Sequence, residues 1–252
     1  MNWTQHNEVN AILKELHDGH LQIFSDKIVG FYLYGSLMWG DFDISSSDID
    51  TMCALTSEVT HDEIELLRKM HSKIIDRYPQ WTNRIEVQYA SVEGLKHFRR
   101  KTSKIGAISP GEPLHIVEGG IDWLDAWYLI QQYGKTLYGM DKKEVIPHID
   151  KEEFVQAIRS YAHRFRERIK GYKNCLGSQA YGVLTMCRAL YTVKTGEQIS
   201  KLAAAHWAMD LLPEYRKLIE IALEWRKLQN KKPQDTYAIA EKFIFDVTGR
   251  LA

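Results

Sequence analysis

The stretch KIVGFYLYGS, residues 27–36, decides the fold of the first half of this chain. Its apolar residues lead directly into Gly35 and Ser36, which is typical of a buried β-strand that opens into a tight turn. In such a turn, backbone N–H groups and a serine hydroxyl can face phosphate oxygens, and a larger side chain than that of glycine would block the approach. The stretch therefore predicts a strand followed by a phosphate-binding turn.

A pair of carboxylates follows this turn. Eleven residues separate Ser36 from Asp48, and Asp48-Ile49-Asp50 opens a second apolar run that continues to residue 55. Because side chains alternate along a strand, both carboxylates should lie on one face. They repel each other unless a cation lies between them, and Mg²⁺ usually binds through one or two carboxylates plus substrate phosphates. The pair therefore predicts a magnesium site for a nucleoside triphosphate.

Glu86 is the candidate for a third acid. Residues 84–89 alternate strictly, with Ile85, Val87 and Tyr89 on one face and Glu86 on the other. Three acids on neighbouring strands could hold two metals, or one metal and a base. Residues 45–48 would also suit an ordinary turn, and Glu86 could be a solvated strand residue. The conjunction of all these features favours the functional interpretation.

The same residues resemble a known family. Gly35 and Ser36 with Asp48 and Asp50 resemble the signature of the DNA polymerase β-like nucleotidyltransferases. The rest of the chain resembles the streptomycin/spectinomycin adenylyltransferase branch of aminoglycoside-resistance enzymes. The supporting segments are the third-acid strand at 84–87, residues 134–139, and the helical stretch from 183 to 213.

This resemblance implies a Mg²⁺-dependent transfer of AMP from ATP to a hydroxyl of a small molecule, with release of pyrophosphate, as in an aminoglycoside-type O-nucleotidyltransferase. Asp48, Asp50 and Glu86 would form the catalytic and metal-binding set, and Glu86 would also take the proton of the acceptor hydroxyl. The nucleotide would contact Gly35 and Ser36 in the first domain, and Arg188 and Lys201 in the second. A solvated helix face is the ordinary role of a single Lys or Arg, but cations there would neutralise phosphate charge.

The length of 252 residues is suited to two domains. We predict an α/β nucleotidyltransferase domain, with a mixed sheet and flanking helices, at 1–145 and an all-α helix bundle at 146–252. The first domain should contain strands at 28–35, 48–55 and 84–90, helices at 8–24, 60–78 and 123–133, and a long loop at 106–120. Residues 139–147 should form the linker, and helices should follow at 176–193, 201–209, 214–228 and 236–248, after a helix start marked by Asp150 and Glu153.

Charge and cysteine content limit the partners. The charges of the 33 basic and 33 acidic residues cancel, which does not favour a nucleic-acid partner. We therefore expect a small-molecule substrate that binds in a cleft. The three cysteines lack metal-ligand spacing and suit a reducing cytoplasm. The start of the chain has no secretory apolar region, and no stretch is long enough to cross a bilayer. We expect a cytoplasmic protein that is a monomer or a weak homo-oligomer.

The identity of the acceptor is left open. In the streptomycin-modifying branch, acidic and histidine side chains at the start of the characteristic helix bind the cationic drug, whereas residues 177–181 here read GSQAY. The tryptophan-bearing segment after the third-acid strand is also replaced, by residues 108–115. Two alternatives therefore remain beside the aminoglycoside type: a nucleotidyltransferase that modifies a protein or RNA, as in toxin–antitoxin systems, and a non-catalytic nucleotide-binding module.

The resemblance generates a prediction for Lys201. If its ammonium group contacts the triphosphate, Lys201→Ala should weaken ATP affinity by about 1–3 kcal/mol, the typical cost of losing a charge-assisted hydrogen bond. Affinity for the acceptor should fall only through coupling to ATP, because ATP should bind first. Calorimetry measures both affinities, and unchanged ATP binding in the variant would contradict the assignment.

Overall fold

The computed structural model describes residues 2–40, 42–225 and 236–251. The chain divides into two compact units, one formed by Met1–Phe42 with Ser47–Ile149 and the other by Asp43–Ser46 with Asp150–Ala252. Each unit is described by itself below.

A six-stranded mixed sheet forms the centre of the first unit. Its strands are β1 (Ile28–Tyr34), β2 (Ile49–Leu55), β3 (Ile85–Ser91), β4 (Ser103–Ser109), β5 (Glu112–Gly119) and β6 (Lys135–Gly139), in the spatial order β5-β4-β3-β2-β1-β6. β2 and β3 are parallel, and every other neighbouring pair is antiparallel. The helices of this unit are α1 (Asn7–Phe24), α2 (His61–Arg77), α3 (Val92–His97), α4 (Leu124–Tyr133) and α5 (Lys142–Val145). The predicted α/β domain with a mixed sheet is confirmed.

One face of the sheet is apolar because of the period of two along its strands. Phe31 and Leu33 of β1, Cys53 of β2, and Val87 and Tyr89 of β3 are buried in a core that α1 and α2 complete. The helices contribute residues at helical spacing, including Val9, Ile12, Leu13, Leu16, Ile64, Leu67 and Ile74. Since alternate residues point the other way, the acids of β2 and β3 lie on the opposite face.

A capping box starts α2. The Thr60 hydroxyl accepts a hydrogen bond from the Glu63 backbone N–H at 3.2 Å, and the Thr60 N–H donates to the Glu63 carboxylate at 2.7 Å. Lys27, just before β1, forms an ion pair with Glu63 at 2.8 Å. The Lys27 ammonium and the hydrogen bonds at Thr60 lower the pKa of Glu63 against the opposing effect of its burial. These contacts tie the start of the helix to the start of the first strand.

The predicted long loop at 106–120 is wrong, because residues 103–119 form the hairpin of β4 and β5. Ser109 pairs with Glu112, so Pro110 and Gly111 alone make the turn, and Gly111 has the positive φ of 79° that the third position of a type II turn requires. Pro113 is tolerated because β5 is the edge strand of the sheet. The density of Gly and Pro suggested a loop, but Gly111 lies in the tight turn and Pro113 in the edge strand, and a hairpin accepts both residues there.

The predicted linker at 139–147 contains ordered structure of the first unit. β6 is the edge strand on the other side of the sheet, where it pairs with β1. The Tyr32 hydroxyl of β1 donates a hydrogen bond to the Met140 carbonyl at 3.0 Å. The short helix α5 follows, and Val145 and Ile146 are buried. This segment therefore belongs to the packed sheet domain.

The second unit contains helices and no strand among its described residues, which confirms the predicted all-α region. Its helices are α6 (Lys151–Arg168), α7 (Leu176–Thr195), α8 (Lys201–Leu211), α9 (Arg216–Trp225) and α10 (Tyr237–Gly249). Asp150 and Glu153 form the predicted capping box of α6, and Gly196, with φ 71°, ends α7. α7 is the central helix, since it packs against the four others. The part of the predicted fourth helix at 226–228 lies outside the described residues.

A His–Tyr–His group is buried in the core of the first unit. The Tyr89 hydroxyl lies 3.0 Å from Nε2 of His20 and 2.9 Å from Nε2 of His71, so it can donate to one ring and accept from the other. Burial lowers the pKa of His71 to about 4 and that of His20 well below its ordinary value. Both rings are therefore neutral in the folded protein at neutral pH.

This group predicts a loss of stability in mild acid. An unfolded histidine has a pKa near 6.5, so between about pH 6.5 and 4 the unfolded chain binds a proton at His71 that the folded chain excludes. The free energy of unfolding should fall over this window, by about 3 kcal/mol from His71 alone. In His71→Gln, which keeps a polar partner for Tyr89 but does not titrate, the fall should be smaller. Urea unfolding at pH 7.5, 6 and 5 measures the difference, and identical pH dependence in both proteins would contradict it.

Candidate active site

Gly35 lies where β1 ends, and the structure allows no side chain there. Its φ is +75°, a conformation that glycine adopts readily. A Cβ atom at this position would lie 1.8 Å from Oδ2 of Asp50. The Asp50 carboxylate therefore packs directly against the backbone of the turn, and the glycine and the acid depend on each other.

The two central acids stand side by side on neighbouring strands. Asp50 pairs with Tyr34 across the antiparallel β1–β2 ladder and with Glu86 across the parallel β2–β3 ladder. Residues paired across adjacent strands project on the same face. Asp50 and Glu86 are both partly buried there, in one row with Tyr34. We call Asp50 and Glu86, together with Asp48 just before β2, the acid row.

The backbone on either side of Asp48 is anchored by the segment before β3. Arg84 donates from Nε to the Ser47 carbonyl at 3.1 Å, and a second guanidinium nitrogen donates to the same oxygen. The Ile49 N–H donates to the Arg84 carbonyl at 2.9 Å. The Arg84 guanidinium is itself buried over the Trp81 ring, 4.3 Å from its centroid. Asp48 is thus held at a fixed place two residues before Asp50.

The Ser36 hydroxyl is ready to accept or donate a hydrogen bond. Its oxygen is buried and has no hydrogen-bond partner among the described residues. A buried hydroxyl without a partner is costly, and a bound ligand is one of its ordinary explanations. Ser36 follows a glycine of positive φ in a short 3₁₀ turn, Gly35–Met38. The arrangement suits a phosphate oxygen.

Three side chains that the sequence analysis missed surround this site. Tyr34 is buried, and its hydroxyl accepts a hydrogen bond from Nε2 of Gln88 at 2.6 Å. Its burial raises the pKa of Tyr34 well above the ordinary value, and the nearby Asp50, Glu86 and Asp125 carboxylates raise it further. Asp125 is in the first turn of α4, which packs against β1 and the Gly35 turn. The alternation of β3 could have indicated Gln88, but nothing local in the sequence indicates Asp125.

The acids present fit a magnesium ion that binds together with phosphate. In residues 2–40, 42–225 and 236–251, no group of three or more His, Cys, Asp or Glu side chains could hold a metal by itself. Mg²⁺ commonly takes only one or two carboxylates and completes its shell with water and substrate phosphates. The Asp50 carboxylate beside the Ser36 turn supplies that chemistry. The assignment of Asp48, Asp50 and Glu86 as metal ligands stays a prediction.

Both predicted cations are located in the second unit. Lys201 is the first residue of α8, which Ser200 caps by accepting a hydrogen bond from the Ala203 N–H at 3.1 Å. The Lys201 ammonium lies 4.4 Å from the centroid of the Tyr181 ring. Arg188 is partly buried on α7. Their contact with nucleotide stays a prediction.

A mixed sheet with a Gly-Ser turn after its first strand and acids on the next two strands defines a nucleotidyltransferase fold, followed here by a helical region. Residues 144–248 match the family described as "Aminoglycoside adenylyltransferase, C-terminal domain". The chain is 28% identical over 236 residues to spectinomycin 9-adenylyltransferase of Staphylococcus aureus strain N315, with 86% of this chain and 83% of that protein covered. Sequences of the same name from strain Mu50 and from S. aureus without a stated strain match equally well.

A solved structure shows the same fold. It is spectinomycin adenyltransferase AAD(9) from Enterococcus faecialis with ATP and spectinomycin, with a TM-score of 0.77, 20% sequence identity, and 96% of this chain and 98% of that chain covered. The chain is thus an aminoglycoside adenylyltransferase-like nucleotidyltransferase, and it is an enzyme of the adenylyltransferase class. Over the part of the chain that the structure describes, no helix is both long enough and apolar enough to span a membrane.

The packing of Asp50 on Gly35 generates a prediction. Gly35→Ala should abolish activity, because the new methyl group must displace the Asp50 carboxylate. Gly111→Ala is the matched control, since Gly111 has a similar φ of +79° with no atom within 4 Å of a new Cβ. Both variants carry backbone strain of about 1–3 kcal/mol, so thermal unfolding should show a loss in each. Assays of AMP transfer should find only the Gly35 variant inactive, and equal activity in the two would contradict the arrangement.

Proposed function

We propose that this enzyme transfers AMP from ATP to a hydroxyl of an aminoglycoside-type small molecule in a Mg²⁺-dependent reaction that releases pyrophosphate. The observation that carries the proposal is the register of Asp50 with Glu86, with the Asp50 carboxylate packed on the Gly35 turn. A phosphate held at the turn would lie beside both acids. The names of the relatives and their coverage of both halves of the chain support the same conclusion.

Each predicted site residue of the first unit then has a defined role. The Ser36 hydroxyl and the backbone N–H groups of its turn bind the triphosphate. Asp48 and Asp50 would hold the magnesium ion, which would neutralise the negative charge that develops on the phosphates. Glu86 accepts the proton of the acceptor hydroxyl as its oxygen attacks the α-phosphate and pyrophosphate leaves. Asp50 and Glu86 share one row, so the nucleotide and the acceptor meet on one face of the sheet.

Arg188 and Lys201 supply positive charge to the nucleotide in this proposal. Anions are stabilised near a helix N-terminus, and Lys201 is the first residue of α8. The Ser200 cap fixes this end of the helix. These cations would stabilise the charge on the leaving pyrophosphate.

Spectinomycin is the first acceptor to test, because the matching relatives and the structural neighbour carry its name. The start of α7 at residues 177–181 lacks acids and histidines, and charged acceptors are usually held by carboxylates. A polycationic acceptor such as streptomycin is therefore expected to react more slowly than spectinomycin.

The decisive experiment measures pyrophosphate release from ATP with spectinomycin, streptomycin, other aminoglycosides and lincosamides, with and without Mg²⁺. Mass spectrometry of the acceptor should find one added AMP. Labelled ATP incubated with protein and RNA from a lysate tests modification of a macromolecule. Transfer to protein or RNA, or no transfer at all, would contradict the proposal.

Conservative variants of the acid row separate its roles. Asp48→Asn and Asp50→Asn should lower kcat by orders of magnitude and leave the fold intact, because they relieve repulsion between acids. Glu86→Gln should still bind Mg²⁺-ATP with similar affinity but lose roughly 10²-fold or more in rate, as is typical after removal of a general base. Calorimetry with ATP and steady-state kinetics distinguish the cases. Loss of ATP binding in the Gln variant would make Glu86 chiefly a metal ligand.

A further inference from the structure

The Tyr34 side chain crosses the sheet on the face that carries the acid row. Its strand, β1, is separated from β3 by β2, yet its hydroxyl reaches the amide of Gln88 on β3. In register, Tyr34 is level with Asp50 and Glu86, whereas Gln88 lies two residues further along β3. The ring therefore passes over β2 beside Asp50. Its hydroxyl ends within one same-face step of Glu86, about 7 Å along the strand between Cα atoms.

The hydrogen bond from Gln88 determines what the Tyr34 hydroxyl can do. The amide Nε2 donates and the hydroxyl oxygen accepts, at 2.6 Å, so the O–H of Tyr34 is left for a different acceptor. Both side chains are more than nine-tenths buried, with exposures of 8% and 7%. The carboxylates of Asp50, Glu86 and Asp125 lie near the Tyr34 side chain, and its hydroxyl keeps its proton at neutral pH because a tyrosine ordinarily has a pKa near 10. It is a neutral donor among acids.

Gln88 is costly for a purely structural residue. Its Oε1 is buried and has no hydrogen-bond partner among the described residues. An unpaired buried amide oxygen destabilises a folded protein, and an apolar side chain of the same shape would avoid that cost. The Gln88 amide fixes the direction of the Tyr34 O–H. Its N–H donates to a lone pair of the hydroxyl oxygen, so the O–H must point elsewhere.

We propose that Tyr34 and Gln88 are positioning residues of the transfer reaction: Gln88 orients the Tyr34 hydroxyl, which donates a hydrogen bond to the Glu86 carboxylate in the enzyme loaded with ATP. One carboxylate oxygen is then held by Tyr34, and the other faces the acceptor hydroxyl. This inference rests on the proposed function, since it assigns a partner to the base of that reaction. It gives no new role to the metal or to the nucleotide.

The test compares Tyr34→Phe and Gln88→Met with Tyr32→Phe. Tyr32 is the matched control because it is also a buried tyrosine of β1, but its hydroxyl donates to the Met140 carbonyl at 3.0 Å. Tyr34→Phe and Gln88→Met should each lower kcat about 10- to 100-fold with KM for ATP changed less than about twofold, as loss of one hydrogen bond to a charged group predicts. Tyr32→Phe should keep the parent kcat.

Thermal unfolding provides a readout that does not depend on activity. Gln88→Met removes the unpaired Oε1 and should be at least as stable as the parent, whereas Tyr32→Phe loses a buried hydrogen bond and should be less stable. A slow but stable Gln88 variant is the opposite of what a structural role predicts. If Gln88→Met does not fold, Tyr34→Phe alone decides through kcat and KM.

Two results would overturn the inference while the proposed function stands: AMP transfer by the parent with kcat in both variants within about threefold of the parent value, or a rise in KM for ATP at constant kcat. A parent protein that transfers no AMP to any acceptor would instead overturn the proposed function, and this inference with it.

Discussion

The packing of the Asp50 carboxylate on the backbone of Gly35 is the contact on which the first unit depends. It requires β1 and β2 to be antiparallel neighbours in one register, because only then does the acid reach the turn at the end of the other strand. It also requires glycine for two separate reasons, the positive φ and the absence of space for a Cβ. The position of the acid and the shape of the turn after β1 are therefore set by one contact.

The two faces of the sheet have different tasks, and the period of two along each strand separates them. One face is closed by α1 and α2 in an apolar core that includes the buried His20–Tyr89–His71 group. The other carries the acids with Tyr34 and Gln88. A rigid core behind the acids suits the role proposed for them, because a catalytic group must be held within a fraction of an ångström of its working position. The Arg84 bonds to Ser47 serve the same purpose at Asp48.

Like charges are concentrated at this site at some cost to stability. Carboxylates on neighbouring strands repel each other, and the hydrogen bonds from Arg84 to the Ser47 carbonyl hold the backbone beside Asp48 in place. Burial is the main reason why the pKa of Tyr34 lies well above its ordinary value, and the Asp50, Glu86 and Asp125 carboxylates raise it further. Such a site would suit a substrate that brings its own cation, because a magnesium ion bound with the triphosphate, as in the proposed function, would relieve the repulsion.

The sequence by itself determined the elements whose signals are local. Alternation predicted β2 and β3, helical spacing predicted α1 and α2, and the Asp150–Glu153 box predicted the start of α6, because each depends on residues a few positions apart. The tertiary structure alone decided the β4–β5 hairpin, where an edge position makes Pro113 acceptable, and the order of the strands. It also decided that Tyr34, Gln88 and Asp125 surround the acids. These residues come from three elements far apart in the chain, and only the pairing of β1, β2 and β3 and the packing of α4 against β1 bring them together.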